Sequence, residues 1–273
     1  MHEGVALRLD EGVARGEPAD CTAPVVRLRD GLPAQEAGSW GLPEPLLTLS
    51  ERSVLVASPS LAGLPAWLVA EVLAHGRVRN LRAHEVVPLA GDGLALCGLA
   101  SGALAVRLRQ PHSEVLDYLP PGSWLVDGAG RSTAGPLLTL EAHRRATVVC
   151  VPADAVAELA GRHDELQRRV MAIGWGSMGR LMGLLEDLST LPLRQRLARC
   201  LLRLGDAFGA DEGDGVRLML GINQTEMGLM LRASRQRLNM ELKELEAEGA
   251  LRVEKELVVL DRRALAAWAA GSR

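Results

Sequence analysis

The chain has 273 residues and a mass of 29.2 kDa, enough for two domains with cores of their own. Its 48% hydrophobic and 24% charged residues exclude collagen-like, coiled-coil and wholly disordered classes. The net charge of −3 gives no general attraction to nucleic acid, but it is uneven: negative up to Thr190, slightly positive from Leu191 onward.

Residues 1–53 are rich in Gly, Pro, Ala and charge without a sustained period, and read as an irregular N-terminal extension. Acids run through the first residues and no apolar core follows them, so this is not a secretory signal, and a cytoplasmic location is expected. The uncharged stretch Gly93–Val106 is about 14 residues, short of a bilayer span, and no membrane contact is expected. At Pro65–His75, Trp67, Leu68, Val72 and Leu73 recur at helical spacing. From Val78 to Val151 the texture is β-prone, with short runs at Val86-Val87, Leu94–Leu96, Leu104–Leu108, Val115-Leu116, Leu137–Leu140 and Thr147–Val151. Gly and Pro separate them, which predicts a sandwich or barrel.

After Pro152 the pattern turns helical. Asp154–Gly161 predicts a short helix and His163–Leu188 a long one. Val170, Ile173, Ser177, Leu181, Leu184 and Leu188 mark a stripe on the long helix, which Met178, Met182 and Leu185 widen. Gly174, Gly176 and Gly179 weaken it by about 1 kcal/mol each against Ala, so packing must hold it together. Either the chain's own β domain or a second copy's helix covers the stripe, and the small residues favour the second copy. Thr190-Leu191-Pro192 ends the segment and starts a helix over Leu193–Phe208.

The segment Ile222–Glu246 has the clearest local grammar. Asn223 and Glu226 have capping-box spacing, Met227, Met230 and Leu231 form an apolar face, and the helix breaks near Arg232-Ala233. Ser234 then caps a second helix with Leu238, Leu242 and Leu245 facing inward, closed by Gly249. Its other face carries Arg235, Gln236, Asn239, Met240 and Lys243. Two short helices with Arg and Gln in the first turn of the second match a helix-turn-helix that reads base edges. Leu251–Val253 and Leu257–Leu260 predict a hairpin wing around Glu254-Lys255-Glu256. An ordinary helical hairpin with a solvated face is the plainer alternative.

Leu191–Ala198, Gln224-Thr225-Glu226, Ser234-Arg235-Gln236, Asn239 and Glu241–Gly249 resemble the DNA-binding half of the CRP/FNR family of bacterial transcription regulators. Leu64–Arg79, Gly102–Val106 and Pro121-Gly122-Ser123-Trp124 resemble, more weakly, that family's cyclic-nucleotide-binding domain. The resemblance implies an α+β fold with a jelly-roll-like β-roll sensor at 54–153, helices with a dimerisation helix at 154–190, and a winged helix-turn-helix at 191–273. It further implies a sequence-specific regulator that binds a near-palindromic duplex as a homodimer, with RNA polymerase and a small-molecule effector as further partners. Ser234, Arg235, Gln236, Arg237, Asn239, Lys243 and Thr225 are the expected DNA-binding residues, with Arg252 or Lys255 on the wing.

Two departures from the family pattern matter. Met240 stands where family members usually carry a second contacting Arg, so a different or weaker operator is expected. In the effector loop Trp124 is followed by Leu125-Val126-Asp127 in place of a Phe-Gly-Glu run, and Leu138-Thr139 stand where an Arg-Ser/Thr pair neutralises the cyclic phosphate. Trp124, Asp127, Arg131, Ser132 and Thr139 are therefore the effector-pocket candidates, with binding of cyclic AMP or GMP expected to be lost.

A different class of function is a degenerate sensor working through protein–protein contacts. Met240 with Glu241, Glu244, Glu246 and Glu248 on the recognition helix favours it. The Gly128-Ala129-Gly130 run lacks the context of a phosphate cradle, and the dispersed His75, His84, His112, His143 and His163 form no zinc motif. No nucleophile elbow or P-loop lysine is present, so neither an enzyme nor a cofactor is expected. The four cysteines have no metal-ligand spacing. Cys97 and Cys150 are candidates for redox or haem sensing, with buried strand thiols as the plainer reading.

Overall fold

Two 14-residue strands, β3 (Ala95–Leu108) and β6 (Leu138–Val151), pair antiparallel along their length and organise the N-terminal half. The computed structural model describes residues 26–27, 46–87, 95–108, 114–127, 138–213, 215–254 and 257–271. Around the central pair lie β1 (Val26–Arg27), β2 (Arg77–Leu81), β4 (Val115–Leu119) and β5 (Trp124–Asp127), in the order β1-β2-β6-β3-β4 with β5 on the other half of the β3 edge. The runs expected as separate at Leu94–Leu96 and Leu104–Leu108 share one strand from Ala95 onward, and those at Leu137–Leu140 and Thr147–Val151 share one from Leu138; Leu94 and Leu137 lie outside the described residues. Gly102, an apparent break, is a bulge inside β3 with φ +90°. A Cβ there would meet the Arg145 carbonyl oxygen at 2.3 Å, so glycine is required.

That bulge changes which residues face inward. Before it, Cys97 and Leu99 point into the roll; after it, Leu104 and Val106 do. The interior is filled by these with Leu81, Val87, Leu119, Leu140, Ala146 and Val148. The outer face of the first half is covered by α1 (Leu49–Val56), α2 (Ala66–Ala74), α3 (Ala153–Arg162) and α4 (Asp164–Thr190) through Leu55, Leu68, Val72, Leu159, Leu166 and Val170. Trp67, expected on the buried stripe of α2, is 56% exposed and meets His163 edge-on.

Helix α1 corrects the irregular reading of residues up to Ser53. Thr48 caps it in a capping box with Glu51, whose carboxylate also accepts the Ser101 hydroxyl of β3 at 2.8 Å. Burial pushes the Glu51 carboxyl up, but hydrogen bonds from the Thr48 amide, Thr147, Ser101 and the Thr48 hydroxyl outweigh it and hold the pKa at about 2 against an ordinary 4.5. The ionised form is the bonded one, so its contribution is complete above pH about 4.5 and is lost as the pH falls toward 2. Glu51→Gln should therefore lower the melting temperature near neutrality, with the gap to wild type closing on acidification. A gap independent of pH in a melting series would contradict this.

The C-terminal half begins at α5 (Leu193–Phe208), joined to the end of α4 by Asp187, which accepts from Arg199 at 2.6 Å and Arg203 at 3.3 Å. Then come β7 (Gly209–Glu212), β8 (Gly215–Leu218), α6 (Gln224–Met230), α7 (Arg235–Ala247), β9 (Leu251–Glu254), β10 (Leu257–Leu260) and α8 (Arg262–Ala269). The expected two-stranded wing is the outer part of a four-stranded sheet, β7-β8-β10-β9. Helix α8, not expected from the sequence, places Leu265 and Trp268 in the same core as Leu197, Leu201 and Leu204 of α5. That core also takes in Ala103 and Ala105 of β3 and Val115 and Tyr118 of β4, so the C-terminal half covers the outer face that the helices leave open.

Candidate nucleic-acid interface

Helix α6 starts at Asn223, whose side chain accepts from the Thr225 and Glu226 amides at 2.9 Å each while Glu226 returns to the Asn223 amide at 3.2 Å. Two first-turn amides are thus taken by the cap and are not free for a phosphate. The exposed Thr225 side chain remains. Helix α6 ends in a Schellman turn, with the Arg232 amide on the Leu229 carbonyl and the Ala233 amide on the Gly228 carbonyl. Arg232 occupies its left-handed position at φ +52°, and its guanidinium reaches Glu114, just ahead of β4, at 2.5 Å. A Cβ on Gly228 would lie 2.9 Å from the Ala233 carbonyl oxygen, so the tight turn needs that glycine.

Ser234 accepts from the Arg237 amide at 3.2 Å and starts α7 as its N-cap, which occupies its hydroxyl within the chain. Leu238, Leu242 and Leu245 are buried as expected, and a second Schellman turn through Gly249, with φ +73°, closes the helix. On the outward face Arg235, Gln236, Arg237 and Lys243 are exposed, Asn239 is half-buried and Met240 is 58% exposed. Arg235 stands beside the start of α6, lining an open recess with Asn223, Gln224, Thr225 and Glu226.

The acidic residues of α7 are placed differently from what their number suggests. Glu241 accepts from Arg194 of α5 at 2.7 Å, Glu244 pairs with the same guanidinium, and Arg194 itself lies over the Trp268 ring at 4.8 Å. Glu246 accepts from the Val253 amide of β9 at 3.1 Å and so ties the wing to the helix. Arg237, which spacing alone would pair with Glu241, forms no ion pair among the described residues because Arg194 holds that carboxylate. On the wing Arg252 is exposed, and Lys255 lies outside the described residues.

Of the effector-pocket candidates, Trp124 and Thr139 have described side chains, and they lie at opposite ends of β3, facing Gly98 and Arg107 in register. Trp124 is 1% exposed and belongs to the helix-facing core, with its indole nitrogen donating to the Leu55 carbonyl at 3.4 Å. Thr139 is half-buried on β6, opposite Arg107. Asp127 is the last residue of β5, its side chain outside the described set, and Arg131 and Ser132 lie outside the described residues. Opposite Thr139 in register, Arg107 pairs with Glu141 at 2.7 Å, and Glu141 also meets the His84 ring at 3.0 Å. No group of three or more metal-ligating side chains occurs among the described residues, and no helix there is long and apolar enough to cross a membrane.

Known proteins agree with this architecture. Residues 195–268 match the Crp-like helix-turn-helix domain family. The chain is 24% identical over 193 residues to a CRP-like cAMP-activated global transcriptional regulator of Mycobacterium tuberculosis, covering 68% of this chain and 84% of that protein. In fold it is similar to FixK2 from Bradyrhizobium japonicum, with a TM-score of 0.60, 18% identity, and coverage of 71% and 96% of the two chains. It is likewise similar to a CRP/FNR-family regulator from Eubacterium rectale, with a TM-score of 0.57, 17% identity, and coverage of 78% and 98%.

Proposed function

We propose, taking as premise that this chain is a CRP-type transcription regulator with a Crp-like helix-turn-helix domain, that it binds a near-palindromic duplex operator as a homodimer and does so without cyclic AMP. One observation carries the DNA-binding reading: the outward face of α7 presents Arg235, Gln236, Arg237 and Lys243 to solvent, while Glu241 and Glu244 are held back by Arg194. Of the four acidic residues that favoured a protein-contact role, Glu241 and Glu244 are therefore paired and turned toward α5, and Glu246 is tied to the wing.

Arg235 and Gln236, in the first turn of α7, are the base readers. Arg can donate two hydrogen bonds to guanine, and Gln can pair with adenine in the same bidentate way. Arg237, Lys243, the Thr225 hydroxyl and Arg252 hold phosphates. A two-fold axis along α4 sets half-sites about one helical turn apart. For the ligand, the inner face of the roll is packed with Leu99, Leu104, Leu119 and Leu140, and Leu138-Thr139 bring no cation to a cyclic phosphate. Both features support a regulator indifferent to cyclic AMP.

Selection of sites from a random duplex pool by the purified protein, without added ligand, should enrich a near-palindrome. On that duplex Arg235→Ala should cost about 1–3 kcal/mol and relax specificity at one base pair, with little change on random DNA. Lys243→Ala should weaken both duplexes alike and lower the salt slope by about 1. No enrichment, or equal losses for Arg235→Ala on selected and random DNA, would overturn the proposal.

A further inference from the structure

Two thiols meet on the inner face of the roll. Cys97 of β3 and Cys150 of β6 are directly opposite each other in the antiparallel register. Their neighbours Leu96, Val149 and Val151 belong to the helix-facing core, whereas Cys97 lies in the inner core and Cys150 packs against it, so both side chains share one face. Directly opposed residues in such a pair have Cα atoms roughly 4.5–5.5 Å apart, inside the range of about 4.4–6.8 Å that a disulfide spans. Their Cβ atoms start slightly farther apart than in a relaxed disulfide, which makes the bond formable with a small strand adjustment and easy to reduce.

The two thiols are unequal. Cys97 is 1% exposed, while Cys150 is only partly buried. The hydrogen bond with Cys97 holds the Cys150 thiol below its ordinary pKa against the effect of burial, with help from the Arg79 guanidinium. Cys200 is the contrast: fully enclosed, with burial pushing its thiol up to about 12.

We propose that Cys97 and Cys150 form a reversible dithiol–disulfide site, oxidised by a hydroperoxide and restored by a small thiol. The Cys150 thiolate attacks the terminal peroxide oxygen, the O–O bond breaks, and hydroxide from hydrogen peroxide, or the alkoxide from an organic hydroperoxide, leaves with a sulfenic acid on Cys150. The Cys97 thiol attacks that sulfur, an S–S bond forms as the S–O bond breaks, and the Cys97 proton leaves in water with the departing hydroxyl. Two electrons pass from the two thiols to one peroxide. A small-thiol reductant returns both protein thiols and is itself oxidised to its disulfide.

The test treats the reduced full-length protein with hydrogen peroxide and follows intact mass and non-reduced peptide maps. The expected result is a loss of about 2 Da, a Cys97–Cys150 linked peptide, and reversal by dithiothreitol. Cys97→Ser should leave a sulfenic acid on Cys150 that dimedone traps, and Cys150→Ser should abolish the linked peptide. The wild-type map decides the matter even where a variant misfolds. Absence of that peptide, links through Cys21 or Cys200 alone, or a Cys150 that reacts no faster than Cys200 would each overturn the proposal.

Discussion

Aspartate at both Trp175 and Met178 should leave the protein folded but monomeric, with the palindromic operator bound no better than one half-site. In a single chain, Val170 and Ile173 turn toward the chain's own core, and a different row is left uncovered: Met171, Trp175, Met178, Met182 and Leu185. Trp175 is 70% exposed and the others 47–58%, and they recur at alternating steps of four and three, the spacing of a coiled-coil seam. Gly174, Gly176, Gly179 and Gly183 have open space at their Cβ positions, so nothing in the chain itself requires them. A second helix approaching along the seam would use both the apolar row and the small residues.

Each large seam residue buried at such an interface contributes about 1.5–3 kcal/mol, and a two-fold axis counts it twice. Losing one position should weaken dimerisation roughly 10²–10⁴-fold, and a buried charge facing its own copy deepens the loss. Sedimentation equilibrium should show a monomer, and operator affinity should fall because the second half-site no longer binds as a tethered event. A double variant that stays dimeric would place the dimer elsewhere.

Trp124→Ala should lower the stability of the ligand-free protein by about 3–5 kcal/mol, a third or more of what many domains possess. The indole is enclosed among helix-facing residues, and a Cβ added at Gly98 would come within 2.9 Å of its ring. Gly98→Ala should cost less, about 1–3 kcal/mol, by forcing that ring aside. Urea denaturation reads both as a lower midpoint at unchanged slope. An unchanged midpoint for Trp124→Ala would return this residue to the effector-pocket candidates.

Much of the C-terminal half could be read directly because its signals are local. The Asn223–Glu226 capping box, the Ser234 cap and Gly249 each act within a few residues of themselves, so the helix-turn-helix is written where it forms. The Thr48–Glu51 box was equally local, but it sits in a glycine- and proline-rich segment whose lack of period hid a two-turn helix. Strands β7 and β8 were hidden by the Gly- and Asp-rich composition of residues 209–215, and α8 by an Ala-rich face with only Leu265 and Trp268 buried.

By itself the sequence determined the succession of a β-rich half, a long helix and a helix-turn-helix, with Arg235, Gln236 and Lys243 turned outward. Three things were decided only by tertiary structure: Arg194 reaching across from α5 to hold Glu241 and Glu244, β3 passing unbroken through Gly102, and the C-terminal core closing over Val115 and Tyr118. The physical reason is common to all three. Periodicity and capping report which face of an element must be buried, but not which distant surface buries it. That partner is chosen by shape and charge between residues dozens of positions apart, and it exists only once the chain has folded.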